Sequence, residues 1–259
     1  MVVAKNHSGR LKIIDRLREM VRLSAGLNAS NELDKAAMRR AIECLERFGQ
    51  RLRDMHADSV RVIGTNALRQ AKNSSKFFKA AQQALGHPIE IISGIEEARL
   101  IYLLTTYAIS RPNDRRIVVD IGGGSTEIII GEGSQPLKME SLFMGCVSMS
   151  EQFFQNGKVT RKNFDQAFLA AKLQLRPIVK AYQRIGWDHE FGTSGTIKVI
   201  TEIATSQLGD THGITAQALD MMRDKLIADE LDLSGIKKER MPVLPGGLAI
   251  LSAVFDSLK

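Results

Sequence analysis

Residues 117–131 read IVVDIGGGSTEIIIG, and the order of residue types in this stretch decides the fold class. Ile117, Val118 and Val119 form a short β-branched run of the kind found in strands buried on both faces. Gly122, Gly123 and Gly124 break the run as a turn, and 127–131 repeats it as a second strand. Because a strand follows the glycines, the segment is a hairpin. A dinucleotide fingerprint needs a helix at that point, and a Walker loop needs Gly-x-x-x-x-Gly-Lys-[Ser/Thr], which the chain lacks. A carboxylate at the end of a buried strand, here Asp120, can hold a hydrated divalent cation. Successive glycine amides can point into one concavity that accepts phosphate oxygens. A plain tight hairpin is the simpler use of three glycines.

Toward the N-terminus the periodicity alternates. Residues 11–17 mix apolar and polar side chains at roughly strand period, and 24–30 read as a loop. From Asp34, an N-cap residue, Ala37, Ala41, Cys44, Leu45, Phe48, Leu52 and Met55 form one apolar helical stripe, with Leu33 and Met38 placed for a hydrophobic staple. A strand over 59–63 stopped by Gly64, a helix opened by Ser74 or Ser75, a strand over 88–92 and a helix from 93 to about 110 make an α/β succession. Residues 111–116, RPNDRR, break the period and are the expected linker between domains 1–112 and 113–259. Beyond the hairpin, a partly exposed strand is expected over 138–143, helices over 161–184, 195–207 and 215–229, and a buried closing helix over 247–258.

A second small-residue loop, Gly192, Thr193, Ser194, Gly195 and Thr196, falls between an expected strand and a helix. Its free amides at a helix N-terminus offer another anion seat, although an ordinary helix cap has the same composition. Two such loops suggest phosphates gripped from two domains across a cleft. Glu96 and Glu97 open a helix just after a glycine, where a carboxylate is stabilised by the dipole; either can orient or deprotonate water, or simply complement the helix end. Arg69 follows a strand end and can fork onto a phosphate or form a surface ion pair. The five histidines are isolated, so zinc and serine-hydrolase chemistries are poor fits, and Cys44 and Cys146 are too far apart in sequence for a redox pair.

The 259 residues carry 44% hydrophobic and 25% charged residues, a globular composition, with a net charge of +7. Three Tyr and one Trp give no aromatic interleaving for single-strand stacking, so no nucleic acid is expected; the charge matches a polyanionic small molecule or polymer, or equally a solvated basic surface. No stretch reaches the ~18 apolar residues of a membrane span, and the start lacks signal-peptide organisation; a cytoplasmic protein is expected.

Five segments in order, VIGTNALRQA (62–71), IISGIEEARLIY (91–102), VDIGGGSTE (119–127), MGCVS (144–148) and GTSGTIK (192–198), resemble the motifs of the exopolyphosphatase and guanosine pentaphosphate phosphohydrolase family. That family belongs to the superfamily of actin, the heat-shock chaperone ATPases and the sugar kinases. The resemblance covers nearly the whole chain. It implies an α/β fold of two actin-like (ribonuclease H-like) domains with mixed central sheets flanked by helices and a cleft between them. It implies magnesium-dependent release of terminal phosphate from inorganic polyphosphate or guanosine pentaphosphate by water, in a bacterial stringent-response enzyme working as a homodimer. By motif position Glu97 would be the base or orienter of water. Asp120 and Glu127 would organise Mg2+, and Gly122, Gly123, Gly124, Ser125 and Thr126 would cradle phosphate. Arg69 would hold the chain's charge, while Gly192, Thr193, Ser194, Gly195 and Thr196 would grip from the opposite domain.

Two departures stand beside the resemblance. Family members open with a strand and a loop of the type Asp-x-Gly-Ser-Asn-Ser, whereas MVVAK matches only the strand after that loop. They also continue past the helix ending near Leu258. A truncated N-terminal strand and phosphate loop, and a missing C-terminal segment, are therefore expected. A non-catalytic polyphosphate or alarmone binder, or an inactive fragment, is the alternative to an active hydrolase; an ATP-driven kinase or chaperone of the same superfamily is a third reading.

Overall fold

The computed structural model describes residues 1–7, 10–28, 30–107, 114–210 and 213–259, with the side chains of 6, 7, 10 and 11 excepted. The chain forms two compact units, Met1–Ile92 and Ser93–Lys259. The expected boundary at 112/113 lies outside the described residues, as do the last residues of the helix expected to reach 110.

In the first unit, strands β1 (Val2–His7) and β2 (Arg10–Arg16) pair antiparallel with a bulge at Val3/Ala4. A 3-10 turn at Ser24–Gly26 precedes helix α1 (Lys35–Leu52). The Asp34 carboxylate caps α1 by accepting from the Ala37 amide at 2.6 Å, and Ala37, Ala41, Cys44 and Leu52 are its buried face. Met55 falls beyond the helix end. Removing the cap acceptor leaves an orphaned amide, so Asp34→Ala is expected to lower stability by about 1 kcal/mol, read as a shift in urea midpoint with unchanged slope.

The strand expected over 59–63 shrinks to β3 (Ile63–Gly64), because only those residues find a partner, the parallel strand β4 (Glu90–Ile91). Between them lie α2 (Asn66–Gln70) and α3 (Ser74–Leu85). At five residues α2 is too short to show a helical period, and nothing in the sequence pattern marks it. Asn73, just before α3, ties it to the chain ahead of α1, its amide nitrogen donating to the Leu33 carbonyl and its oxygen accepting from the Leu33 amide.

The second unit begins with α4 (Gly94–Tyr107), followed by β5 (Arg115–Ile121), β6 (Thr126–Glu132) and β7 (Gln135–Leu142). Helices α5 (Cys146–Phe153) and α6 (Arg161–Ile185) lead to β8 (His189–Thr193), and α7 (Ser194–Leu208), α8 (Ala216–Ile227) and α9 (Leu244–Ser257) complete it. The sheet order is β7-β6-β5-β8, antiparallel except for β8, which runs parallel to β5. This is an α/β unit with a mixed sheet. Burial of almost every β5 and β6 side chain matches their unbroken β-branched runs. One sheet face packs α4 through Ala98, Tyr102, Val118 and Ile129. Tyr182 of α6 donates its hydroxyl to the Ile128 carbonyl at 2.7 Å. Gly131 is required because a Cβ there would lie 2.3 Å from the Tyr102 ring. No helix among the described residues is long and apolar enough to cross a membrane.

Candidate functional site

Strand alternation fixes which side chains meet at the hairpin. Asp120 near the end of β5 and Glu127 near the start of β6 are direct cross-strand partners, so both project from one face, the one Val118 and Ile129 present to α4. Thr193 at the end of β8 is the neighbour of Asp120 on its other side, and its hydroxyl donates to Asp120 Oδ1. Ser141 of β7, the partner of Glu127, donates to Glu127 Oε1 at 2.8 Å. The two carboxylates are thus held by hydroxyls, among residues whose alternation placed them there.

Glu127 is 1% exposed. Burial pushes its pKa up to about 7, the negative charge of Glu97 adds to the rise, and hydrogen bonds from Ser141 and Ser125 offset part of it. Burial likewise raises Asp120, against the hydrogen bond from Thr193, with Glu97 again contributing. Glu97, in the first turn of α4, is therefore within electrostatic reach of both. Its neighbour Glu96 is committed elsewhere, accepting two 2.7 Å hydrogen bonds from the Arg99 guanidinium. Of the glutamate pair, equivalent in sequence, Glu97 is the one whose charge reaches Asp120 and Glu127.

The turn itself is built to leave amides open. The Gly122 amide closes the turn onto the Ser125 carbonyl at 2.9 Å. Helix α5 docks its first amides on the turn from behind: Cys146 donates to the Gly122 carbonyl, and Val147 and Ser148 donate to that of Gly123. The Gly123 and Gly124 amides donate to no protein acceptor among the described residues. A Cβ on Gly145 would lie 2.3 Å from the Gly123 carbonyl carbon, so a glycine must stand there. Ser125 and Thr126 are buried, and Thr126 donates its hydroxyl to the Met144 carbonyl at 2.7 Å.

The second loop lies at the same end of the same sheet. Because β8 returns parallel to β5, its carboxyl end falls beside that of β5, and Thr193 stands against Asp120. The expectation of a grip from the opposite domain is thus corrected: both small-residue turns belong to the second unit. Helix α7 starts there with no side-chain cap, since Thr193 gives its hydroxyl to Asp120. Ser194 adopts φ +86°, a costly conformation for a residue with a side chain, and among the described residues the buried Ser194 Oγ and Thr196 Oγ1 have no hydrogen-bond partner. Gly192 packs on Ile197, and a Cβ on Gly195 would lie 2.4 Å from Arg240 Nη2.

Arg240 carries no sequence signal of a site. It follows two lysines and a glutamate and reads as part of a solvated charge run; only the glycine beneath its guanidinium reveals its position. Its charge also reaches Cys146, whose thiol burial pushes up. Arg69 belongs to the first unit, where its Nη1 donates to the Ile92 carbonyl at 2.9 Å.

The sequence as a whole matches the model of the Ppx/GppA phosphatase family over residues 2–259. The chain belongs to that family. It is 42% identical over 262 residues to the guanosine-5'-triphosphate,3'-diphosphate pyrophosphatase of Vibrio vulnificus (strain YJ016), a match covering 100% of this chain and 52% of the relative. The protein of the same name from Vibrio cholerae O395 is also 42% identical, with the same coverage. The chain thus spans about half the length of the curated relatives it matches. Among solved structures, an exopolyphosphatase from Cytophaga hutchinsonii superposes with TM-score 0.85 at 20% identity, over 100% of this chain and 86% of the other. An exopolyphosphatase-like protein gives 0.86 at 24%, over 98% and 83%. These two likenesses concern the fold. This Ppx/GppA family member carries two carboxylates and two small-residue turns at one end of its mixed sheet, with Glu97 of α4 within electrostatic reach.

Proposed function

We propose that the chain hydrolyses a phosphoanhydride, releasing terminal phosphate from inorganic polyphosphate or guanosine pentaphosphate. The observation that carries this reading is the convergence of Glu97, Asp120 and Glu127 beside the open amides of Gly123 and Gly124. The names of the Vibrio relatives agree with it. The same reading takes the fold as two actin-like domains and the chain as a cytoplasmic homodimer; light scattering of the purified chain would test the dimer.

The donor set fits a magnesium ion. Asp120 and Glu127 are harder to ionise than ordinary carboxylates and are held by hydroxyls, so a cation would relieve them. Among the described residues no three His, Cys, Asp or Glu side chains are grouped to ligate an ion by themselves. Magnesium keeps several waters and takes one or two carboxylates plus phosphate oxygens, a demand that Asp120 and Glu127 as paired carboxylates meet. Asp120 and Glu127 would hold it, and it would supply neutralisation of phosphate charge.

The chain's own groups account for the rest. The Gly123 and Gly124 amides and the first turn of α7 receive phosphate oxygens. They are fixed before substrate arrives, so little reorganisation is needed as charge shifts. Glu97 orients a water and accepts its proton as the water oxygen bonds to the terminal phosphorus and the bridging P–O bond breaks. The shortened chain leaves with the bridging oxygen. The transition state is loose and metaphosphate-like, so positioning and electrostatics dominate.

The test is phosphate release from polyphosphate and from guanosine pentaphosphate with and without magnesium. Magnesium-dependent release supports the reading; binding of either compound without release selects a non-catalytic binder. Arg240 holds its charge over the α7 amide turn, so Arg240→Gln is expected to raise KM about tenfold or more, with a smaller effect on kcat and partial recovery in Arg240→Lys.

A further inference from the structure

The excess positive charge is confined to one unit. Residues 1–92 hold 17 Lys and Arg against 9 Asp and Glu, a formal +8, whereas residues 93–259 hold 19 against 20, a formal −1. The proposed phosphate site lies in the second unit, so the basic surplus of the first has a separate use to be found.

Five of these basic residues lie on α1. Arg40, Arg47 and Arg51 recur at i, i+7 and i+11, which sets them along one edge of the helix over about 16 Å. The chain at 19–21 runs beside this edge: Arg40 Nε donates to the Val21 carbonyl at 3.3 Å, and Arg47 is bonded to both oxygens of Glu19. Exposed Arg16 and Arg18 lie in or just before this segment. Lys35 and Arg39 occupy the other edge of α1 together with Glu46, and Glu43 lies between the two edges. On the β1–β2 hairpin, exposed Lys5 and Lys12 stand directly opposite each other, a like-charge pairing that costs stability and that a bound anion would relieve.

We propose that this arginine face of the first unit is a docking surface for a long, flexible polyphosphate chain. The proposal rests on the reading of polyphosphate as substrate and assigns that substrate class a second contact, made by residues that take no part in hydrolysis. A flexible polyanion matches a line of guanidinium groups that offers charge without shape. Single-stranded nucleic acid is disfavoured because residues 1–92 contain no Tyr or Trp, Phe77 is buried, and Phe48 and Phe78 are partly covered, leaving no stacking platform.

The experiment measures binding of end-labelled long-chain polyphosphate to the full chain by fluorescence anisotropy, in EDTA so that no turnover intervenes. Arg40→Gln/Arg47→Gln/Arg51→Gln is compared with wild type and with the triple Arg→Lys variant. The glutamine variant is expected to bind about tenfold or more weakly and to show a shallower dependence of affinity on salt, while the lysine variant stays near wild type. Tripolyphosphate, too short to span the stripe, should bind all three alike. A glutamine variant with a wild-type melting curve and wild-type affinity for the long chain would overturn the proposal. So would oligo(dT) of equal phosphate number binding as tightly through the same arginines. Hydrolysis separates the two readings: docking without any phosphate release sinks the assignment of the carboxylate site alone, and release with undiminished binding by the glutamine variant sinks the docking surface alone.

Discussion

Glu97→Gln is expected to cut phosphate release by roughly two to four orders of magnitude, the usual worth of a positioned general base, with little change in melting temperature. The substitution keeps size and polarity but removes the carboxylate to which the proposed reaction assigns the proton of water. Glu97 is half-exposed, so its loss opens no cavity. Glu96→Gln is the matched control: Glu96 is held by Arg99, and losing a solvent-screened surface ion pair of this kind is expected to change stability little and to leave turnover near wild type. The pair of variants separates a catalytic role from general helix-end electrostatics, because both remove one charge from the same turn. Glu97→Gln should also lower the pKa of Glu127, since the Glu97 charge helps to raise it.

The second large effect is on stability. Glu127 titrates near 7 in the fold against 4.5 for an ordinary glutamate, so the folded state binds the proton more tightly than the unfolded state does. Stability is therefore lost as pH rises from about 4.5 toward 7, and the ionised carboxylate destabilises the metal-free fold above that. Glu127→Gln, which keeps an acceptor for Ser141, removes the penalty. In EDTA it should be more stable than wild type at pH 8 by on the order of 3 kcal/mol, the value of a shift of this size in a fully buried group, and the difference should vanish below about pH 4.5. Denaturant titrations at pH 4, 6 and 8 measure it. A difference independent of pH would mean that the effect is packing rather than charge. The same variant should lose magnesium-dependent turnover, a trade of function against stability common at active sites.

Much of this site is legible in residues 117–131, because β-branched runs interrupted by glycines permit few structures and strand alternation then forces Asp120 and Glu127 onto one face. The mixed strand order is not legible, since nothing local in 189–193 says that β8 will lie parallel to β5 instead of in another sheet. That non-local pairing is what brings Thr193 to Asp120 and moves the second turn from an opposing domain to the same sheet end. The choice between Glu96 and Glu97 depends on which carboxylate Arg99 captures, a matter of three-residue spacing on α4 that sequence allows but does not decide. Arg240 is invisible for a further reason: its meaning lies in Gly195, forty-five residues away, where the missing Cβ makes room for the guanidinium. Helix α2 and the two-residue strands β3 and β4 escape because elements so short carry no period.

Amide NMR during titration with tripolyphosphate and magnesium probes the convergence most directly. The Gly123, Gly124, Gly195 and Thr196 resonances should move together with one dissociation constant, and Glu127→Gln should weaken that constant for all four. Shifts confined to one turn, or two turns titrating with different constants, would contradict a single phosphate seat.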